Sequence, residues 1–247
     1  LRHPGLLCHP DGSDILDEVK SMMRFREIYE IWRRDNSLNL ALKESYEMLE
    51  KTHRMFQESV NLLRHVATAR MNLNIYEEDR GINAYQIKVR RRVLRYLAIA
   101  GMVDLVPGLV LTSIVVDIER IGDYTKNISE LATAYPGKLD CGRFEQRVGH
   151  IEQIVEKLFG EIRSILEPSN RQAARRLIDE CSRIRKDADQ IIDELIKGDD
   201  ESMGRAQTAV VALYVRYLKR VGAHLLNILS SVVSPFERIG YREQDQT

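Results

Sequence analysis

The chain has 247 residues, 37 of them basic and 37 acidic, and no net charge at pH 7. A chain-wide cationic footprint for nucleic acid is therefore excluded. Apolar residues make up 44% and charged residues 30%, with six prolines, the profile of amphipathic helices packed around buried cores.

Strand-like alternation between turn clusters is hard to find, so the chain reads as all-α. Residues 1–13 have loop composition, with His3, Pro4, Gly5, Pro10 and Gly12, and the Cys8-His9 pair within them reads as incidental. The chain starts with Leu rather than Met, as a processed or trimmed chain does, and no basic start precedes an apolar core as in a signal peptide. Ser13 or Asp14 caps a helix to about Arg34, with Ile15, Val19, Met22, Met23, Ile28 and Ile31 as its apolar positions. Asp35-Asn36-Ser37 is a break and a new cap. The next helix runs from about Leu38 to Thr68, with Leu42, Met48, Leu49, Met55, Phe56, Val60, Leu63 and Val66 facing a core.

A further helix from about Asn74 to Ala100 opens with Glu77-Glu78-Asp79, acids that suit a helix N-terminus. Ile82, Ile87, Val93, Leu94 and Leu97 are its expected buried positions, and Arg90-Arg91-Arg92 reads as a solvated face that could also touch an anionic partner. Gly101 ends it. The most apolar stretch, Ala98 to Val116, is interrupted by Asp104, Pro107 and Gly108, and no apolar run reaches bilayer-spanning length. Pro136 to Gly142 closes a long helix from about Val103 to Ala134 and is the best domain boundary. The second half holds helices from about Phe144 to Leu166, from Ser169 or Asn170 to Lys197, and from Glu201 to Val233. Pro235 and a polar tail follow.

The helix over 103–134 carries Asp117-Ile118-Glu119-Arg120-Ile121-Gly122-Asp123. Glu119 and Asp123, four apart, lie one above the other on one helix face, and Asn127 continues the row. Like charges at this spacing repel, and a cation between them turns that repulsion into binding. The plain alternative is a solvated acidic face with Arg120 and Lys126 nearby. Gly122 costs about 1 kcal/mol against Ala inside a helix, which points to a packing reason.

The chain also repeats. Glu119-Arg120-Ile121-Gly122-Asp123-Tyr124 aligns with Lys219-Arg220-Val221-Gly222-Ala223-His224, Asn127-Ile128 with Asn227-Ile228, and Asp79-Arg80-Gly81-Ile82-Asn83 with Asp189-Gln190-Ile191-Ile192-Asp193. The expected architecture is two tandem three-helix bundles with an extra N-terminal helix. The segments are 1–36, 37–137, 138–234 and a tail at 235–247.

These motifs, over about residues 38–234, resemble the PhoU family, negative regulators of phosphate uptake and signalling. The first-half motif is close to the family pattern and the second is degraded. The resemblance implies six helices in two bundles and a regulatory rather than enzymatic role in the cytoplasm. It also implies action with a phosphate ABC transporter and a membrane sensor kinase, with membrane contact only through such partners. Related domains form cytoplasmic tails of sodium/phosphate cotransporters.

Family carboxylate motifs can hold iron, zinc, nickel or other divalent cations. Asp79, Glu119 and Asp123 match them, with Asn83 in place of a fourth carboxylate. Asp189 and Asp193 match in the second half, where Lys219 and Ala223 replace the other pair, so a salt bridge is expected there. An oxygen-rich set suits magnesium, calcium, manganese or iron better than a closed zinc site. His224 beside the degraded motif reads as a packed or solvated residue. Glu237-Arg238-Ile239-Gly240-Tyr241 echoes the signature without its terminal Asp.

Exposed amphipathic bundles commonly pair, so a homodimer is among the expected assemblies. Cys8, Cys141 and Cys181, odd in number and widely spaced, form neither a disulfide framework nor a zinc spacing and fit a reducing compartment. Two other functions remain open at this level. A di-metal carboxylate enzyme or iron store needs two Glu-x-x-His motifs, and only Glu50-Lys51-Thr52-His53 has that spacing. A cofactor of a transcriptional regulator would use the first helix, where Arg24, Arg26, Arg33 and Arg34 are interleaved with Glu27 and Glu30.

Overall fold

The computed structural model describes residues 24–66, 74–100, 104–167, 169–198 and 202–241. Its helices are α1 (Phe25–Arg34), α2 (Asn36–Arg64), α3 (Ile75–Ala100), α4 (Leu105–Ala134), α5 (Glu145–Leu166), α6 (Arg171–Cys181), α7 (Arg183–Lys197) and α8 (Arg205–Val233). Among the described residues there is no strand. The Cys8-His9 pair, the expected cap at Ser13 or Asp14 and the apolar positions Ile15, Val19, Met22 and Met23 lie outside the described residues.

The breaks are made by local chemistry. Asp35 caps α2, its Oδ1 accepting from the Ser37 and Leu38 N–H groups at 2.7 and 3.0 Å, which satisfies donors the first helical turn leaves open. Asn170 does the same for α6 through the Ala173 N–H at 3.0 Å. Gly198 ends α7 at φ 73°, a left-handed conformation glycine adopts without steric penalty. Pro107 falls in the first turn of α4, where its missing N–H removes no intrahelical bond.

The helix expected from about 170 to 197 is two, because the chain breaks at Ser182. The Ser182 hydroxyl donates to the Asp179 carbonyl at 2.9 Å, and such back-bonding competes with the helical ladder.

α2, α3 and α4 pack on one another as a first bundle; α5, the α6–α7 pair and α8 form a second; α4 and α8 meet between them. α1 lies against α2 and α4 and also reaches α8. The segment read as a boundary is packed rather than loose. Leu139 and Cys141 are buried, and the Leu139 N–H donates to the Leu63 carbonyl at 2.9 Å.

On α3 the buried seam is Ile75, Ile82, Val89 and Val93. Ile87 and Leu94, expected inside, are 55% and 69% exposed. Each lies five residues beyond a seam residue (Ile82, Val89), about 140° around the helix. No helix of the described residues is long and apolar enough to cross a membrane.

The two motif glycines sit in different packing. A Cβ on Gly122 would lie 3.0 Å from Ile82 Cδ1, with Thr52 Cγ2 at 3.4 Å, so an alanine there would push the Ile82 side chain aside by a few tenths of an ångström. A Cβ on Gly222 would meet only Val155 Cγ2 at 3.6 Å and Ile184 Cδ1 at 3.9 Å, ordinary contact. Gly222→Ala is therefore expected to gain about 1 kcal/mol from helix propensity. Gly122→Ala is expected to lose stability, because overpacking of about 1–3 kcal/mol opposes that gain. Urea midpoints of the two variants side by side check this; equal and positive shifts would contradict it.

Candidate functional site

Two neighbouring helices build the site. Asp79 and Asn83 stand on the first turns of α3, and Glu119, Asp123 and Lys126 on the middle of α4, held in register by the close contact at Gly122. The structure brings Asp79 and Asp123 to one ammonium, that of Lys126, and the charges of both aspartates push the Glu119 carboxyl up. The side chains of Asp79, Glu119 and Asp123 are 13%, 14% and 31% exposed, respectively.

The centre of the cluster is a lysine. Lys126 Nζ donates to Asp79 Oδ2 at 3.0 Å and to Asp123 Oδ1 at 3.4 Å. Asn83 Nδ2 donates to Asp79 Oδ2 at 3.5 Å, and Arg120 Nη1 to Asp123 Oδ2 at 3.1 Å. Glu119 is the member left over. Its Oε2 is buried and accepts no hydrogen bond, although Arg120 Nε lies 3.6 Å away. Burial, then the Asp123 charge, push the Glu119 carboxyl above its ordinary range, with Arg120 opposing them and Asp79 adding to them.

A raised folded-state pKa means the folded protein takes up a proton more readily than the unfolded chain. The stability contribution of Glu119 therefore rises as pH falls through its folded pKa toward the ordinary value of 4.5, and is lowest at neutral pH. Glu119→Gln is expected to raise the melting temperature at pH 7, and that gain is expected to shrink as pH is lowered toward 5. Melting curves across this range check it, and a pH-independent gain would contradict the assignment.

As arranged, the set does not fit a metal ion. An ammonium stands where the cation would bind, and among the described residues no group of three His, Cys, Asp or Glu side chains is placed to hold one. Glu50 and His53 are engaged elsewhere, each with α5. Glu50 pairs with Arg163 at 2.9 Å. His53 contacts Glu156 at 2.7 Å and stacks on Phe159 at 4.6 Å between ring centroids.

In the second bundle Lys219 pairs with Asp189, while Asp193 is exposed. The interhelical register there differs from the one the motif alignment implies. Gly122 faces Ile82, but Gly222 faces Ile184 and not Ile192. Asp189 and Asp193 thus lie about two turns along α7 from the place that Asp79 and Asn83 take on α3. Short motifs align by residue type, whereas register is set by which side chains fill the space between helices.

Sequence reasoning missed the polar contact between the bundles. His224 Nδ1 lies 2.7 Å from Asp117 Oδ1, which also accepts from Asn227 Nδ2 at 3.1 Å. The His224 ring stacks on Tyr124 at 5.8 Å, and Arg220 Nε donates to the Tyr124 hydroxyl at 3.1 Å. Placement of these residues on the repeated signature was the available signal, since Asn227 aligns with Asn127 and His224 with Tyr124. The thiols of Cys141 and Cys181 are pushed up to about 12 by burial, so neither is a ready nucleophile at neutral pH.

Residues 46–132 match the family model for the PhoU domain. Among solved structures, the fold is similar to that of PhoU from Pseudomonas aeruginosa, with a TM-score of 0.70 and 20% identity, over 80% of this chain and 95% of that one. No curated protein sequence matches the chain.

Proposed function

We propose, from the match of residues 46–132 to the PhoU domain model and the PhoU-like fold, that the chain regulates phosphate uptake or phosphate signalling by binding protein partners rather than by catalysis. The observation that carries this is the domain match at residues 46–132, which contains the whole first-half carboxylate motif. A phosphate ABC transporter and a membrane sensor kinase are the partners this reading implies, met at the cytoplasmic side. Zero net charge supports a protein partner over nucleic acid. The cluster of Asp79, Glu119, Asp123 and Lys126 then acts as a charged contact surface whose geometry is set by α3 and α4.

Deleting the gene in its own host tests this. Phosphate uptake and a phosphate-starvation reporter are expected to become insensitive to external phosphate, and the wild-type gene restores the response. Unchanged uptake and reporter output in phosphate excess and starvation would overturn the reading.

Metal binding at the same cluster is a second reading, supported by the buried Glu119 oxygen without a hydrogen-bond partner. It requires a divalent cation such as iron, zinc or magnesium to displace Lys126 Nζ. Elemental analysis and titration with each metal distinguish the cases. Lys126→Ala is expected to gain metal and Glu119→Ala/Asp123→Ala to lose it. Equal metal content in wild type and both variants would remove this reading.

A further inference from the structure

We propose that the outward face of α3 docks an acidic amphipathic helix of a partner protein. The inference rests on the partner-binding function proposed above and names the surface that performs it. Arg80, Ala84, Ile87, Arg91, Leu94 and Ala98 are all exposed, with Ile87 at 55% and Leu94 at 69%. Their spacing alternates four and three, which is the seam along which one helix packs on another. This seam is separate from the one that α3 buries against α2 and α4 through Ile75, Ile82, Val89 and Val93. An amphipathic helix in a small bundle needs one apolar seam; α3 has two, and the second has no partner among the described residues.

Charge narrows the occupant. Between Ala84 and Ala98 the helix carries Lys88, Arg90, Arg91, Arg92 and Arg95 and no acidic residue. Glu44 engages Lys88 at 2.7 Å and Arg92 at 2.9 Å. Arg90, Arg91 and Arg95 have no ion-pair partner among the described residues and flank or interrupt the exposed seam. The complement is a helix with apolar a and d positions and glutamates beside them, reaching Arg91 from within the interface.

A second copy of the chain does not supply it. Two α3 helices packed antiparallel about the middle of the seam would set Arg90 of one against Lys88 of the other with no acidic residue between Ala84 and Leu94 to offset them, and a parallel pair would set every arginine against its own copy. A lipid surface is also the poorer fit. Arg91 sits between Ile87 and Leu94, where insertion of the apolar stripe would carry its guanidinium toward the acyl region.

The test uses the full chain and a fluorescent synthetic peptide of about three heptads, with leucine at a and d and glutamate at the flanking positions. A control peptide carries lysine in place of glutamate. Fluorescence anisotropy is expected to show saturable, salt-weakened binding of the acidic peptide alone. Leu94→Gln is expected to weaken that binding about tenfold or more, and Arg91→Glu to switch preference to the lysine peptide. Both substitutions are on exposed positions, and circular dichroism verifies that each variant keeps its helices.

Absence of binding, or binding unchanged in both variants, overturns the proposal. So does Leu94-dependent binding to phosphatidylglycerol vesicles in place of the peptide, or a Leu94-dependent dimer in sedimentation. If the peptide fails while gene deletion still abolishes the phosphate response, the docking face alone is wrong. If the deletion has no effect while the peptide binds, the phosphate assignment is wrong and the surface stands.

Discussion

Arg64→Ala is expected to destabilise the protein by about 3–5 kcal/mol, the range for breaking one side of a buried ion pair. Arg64 is the last residue of α2 and its side chain is 5% exposed. It donates through Nε to Glu152 at 3.0 Å, and through its two terminal nitrogens to Glu145 and to the Leu139 carbonyl. Tyr214, fully buried on α8, donates to the same Glu152 oxygen at 2.6 Å. Burial, then the Glu152 charge, hold the tyrosine hydroxyl well above its ordinary pKa, so it stays a donor.

One side chain thus ties α2 of the first bundle to the connecting segment, to α5 and, through Glu152, to α8. Removing it leaves Glu152 with a single neutral donor and the Leu139 carbonyl without this one. Urea denaturation checks the size. Arg64→Met/Glu152→Gln is expected to recover much of the loss, because the stranded charge is gone. A loss below about 1 kcal/mol, the range of exposed pairs, would show that the node is solvated.

Acid acts on the same node through Glu145. Burial pushes this carboxyl up most strongly among single influences. The Arg64 hydrogen bond, the Cys141 N–H and the Arg64 charge together outweigh burial and hold the carboxyl below its ordinary range. Its contribution is present above the unfolded value of 4.5 and is lost as pH falls through the folded pKa.

Trp32→Ala is expected to cost about 3–5 kcal/mol as well, by a different route. Trp32, the one tryptophan, is fully buried. Its indole N–H donates to the Pro107 carbonyl at 3.0 Å, and Phe25 packs edge-on at 5.6 Å. α1 has ten residues, too few to be helical alone, so it persists because Phe25, Ile28, Tyr29 and Trp32 bury one face and the helix packs on α2, α4 and α8. The variant is expected to lose hydrogen-exchange protection in α1 first, with α5 retaining its own. Uniform loss across both bundles would show that α1 is integral to the cooperative core rather than a cover on it. Trp32→Phe, which keeps most of the area and loses the hydrogen bond, is expected to cost about 1–2 kcal/mol.

By itself the sequence determined what is local. Helix spans follow from apolar period, and their ends follow from Asp35, Asn170, Gly198 and Pro235, side chains that act within a few residues of themselves. The repeat and the Glu119–Asp123 row were legible for the same reason, since residues four apart on a helix share a face whatever surrounds them. Tertiary structure alone decided which neighbour each face meets. Period marks Ile82, Ile87, Val93 and Leu94 equally as apolar, yet only one seam of α3 is covered, because α2 and α4 offer one groove.

Two motifs with the same Arg-(Ile/Val)-Gly core received different packing, tight at Gly122 and roomy at Gly222, as the helices opposite adopted different registers. Lys126, three residues beyond Asp123, reads in sequence as a bystander. Helix geometry places it between two carboxylates from different helices, and that placement makes the cluster a charge-compensated surface with one unsatisfied member, Glu119. Arg64 carries no local signal at all: its partners are 75 to 88 residues away, brought to it only when the second bundle folds against α2.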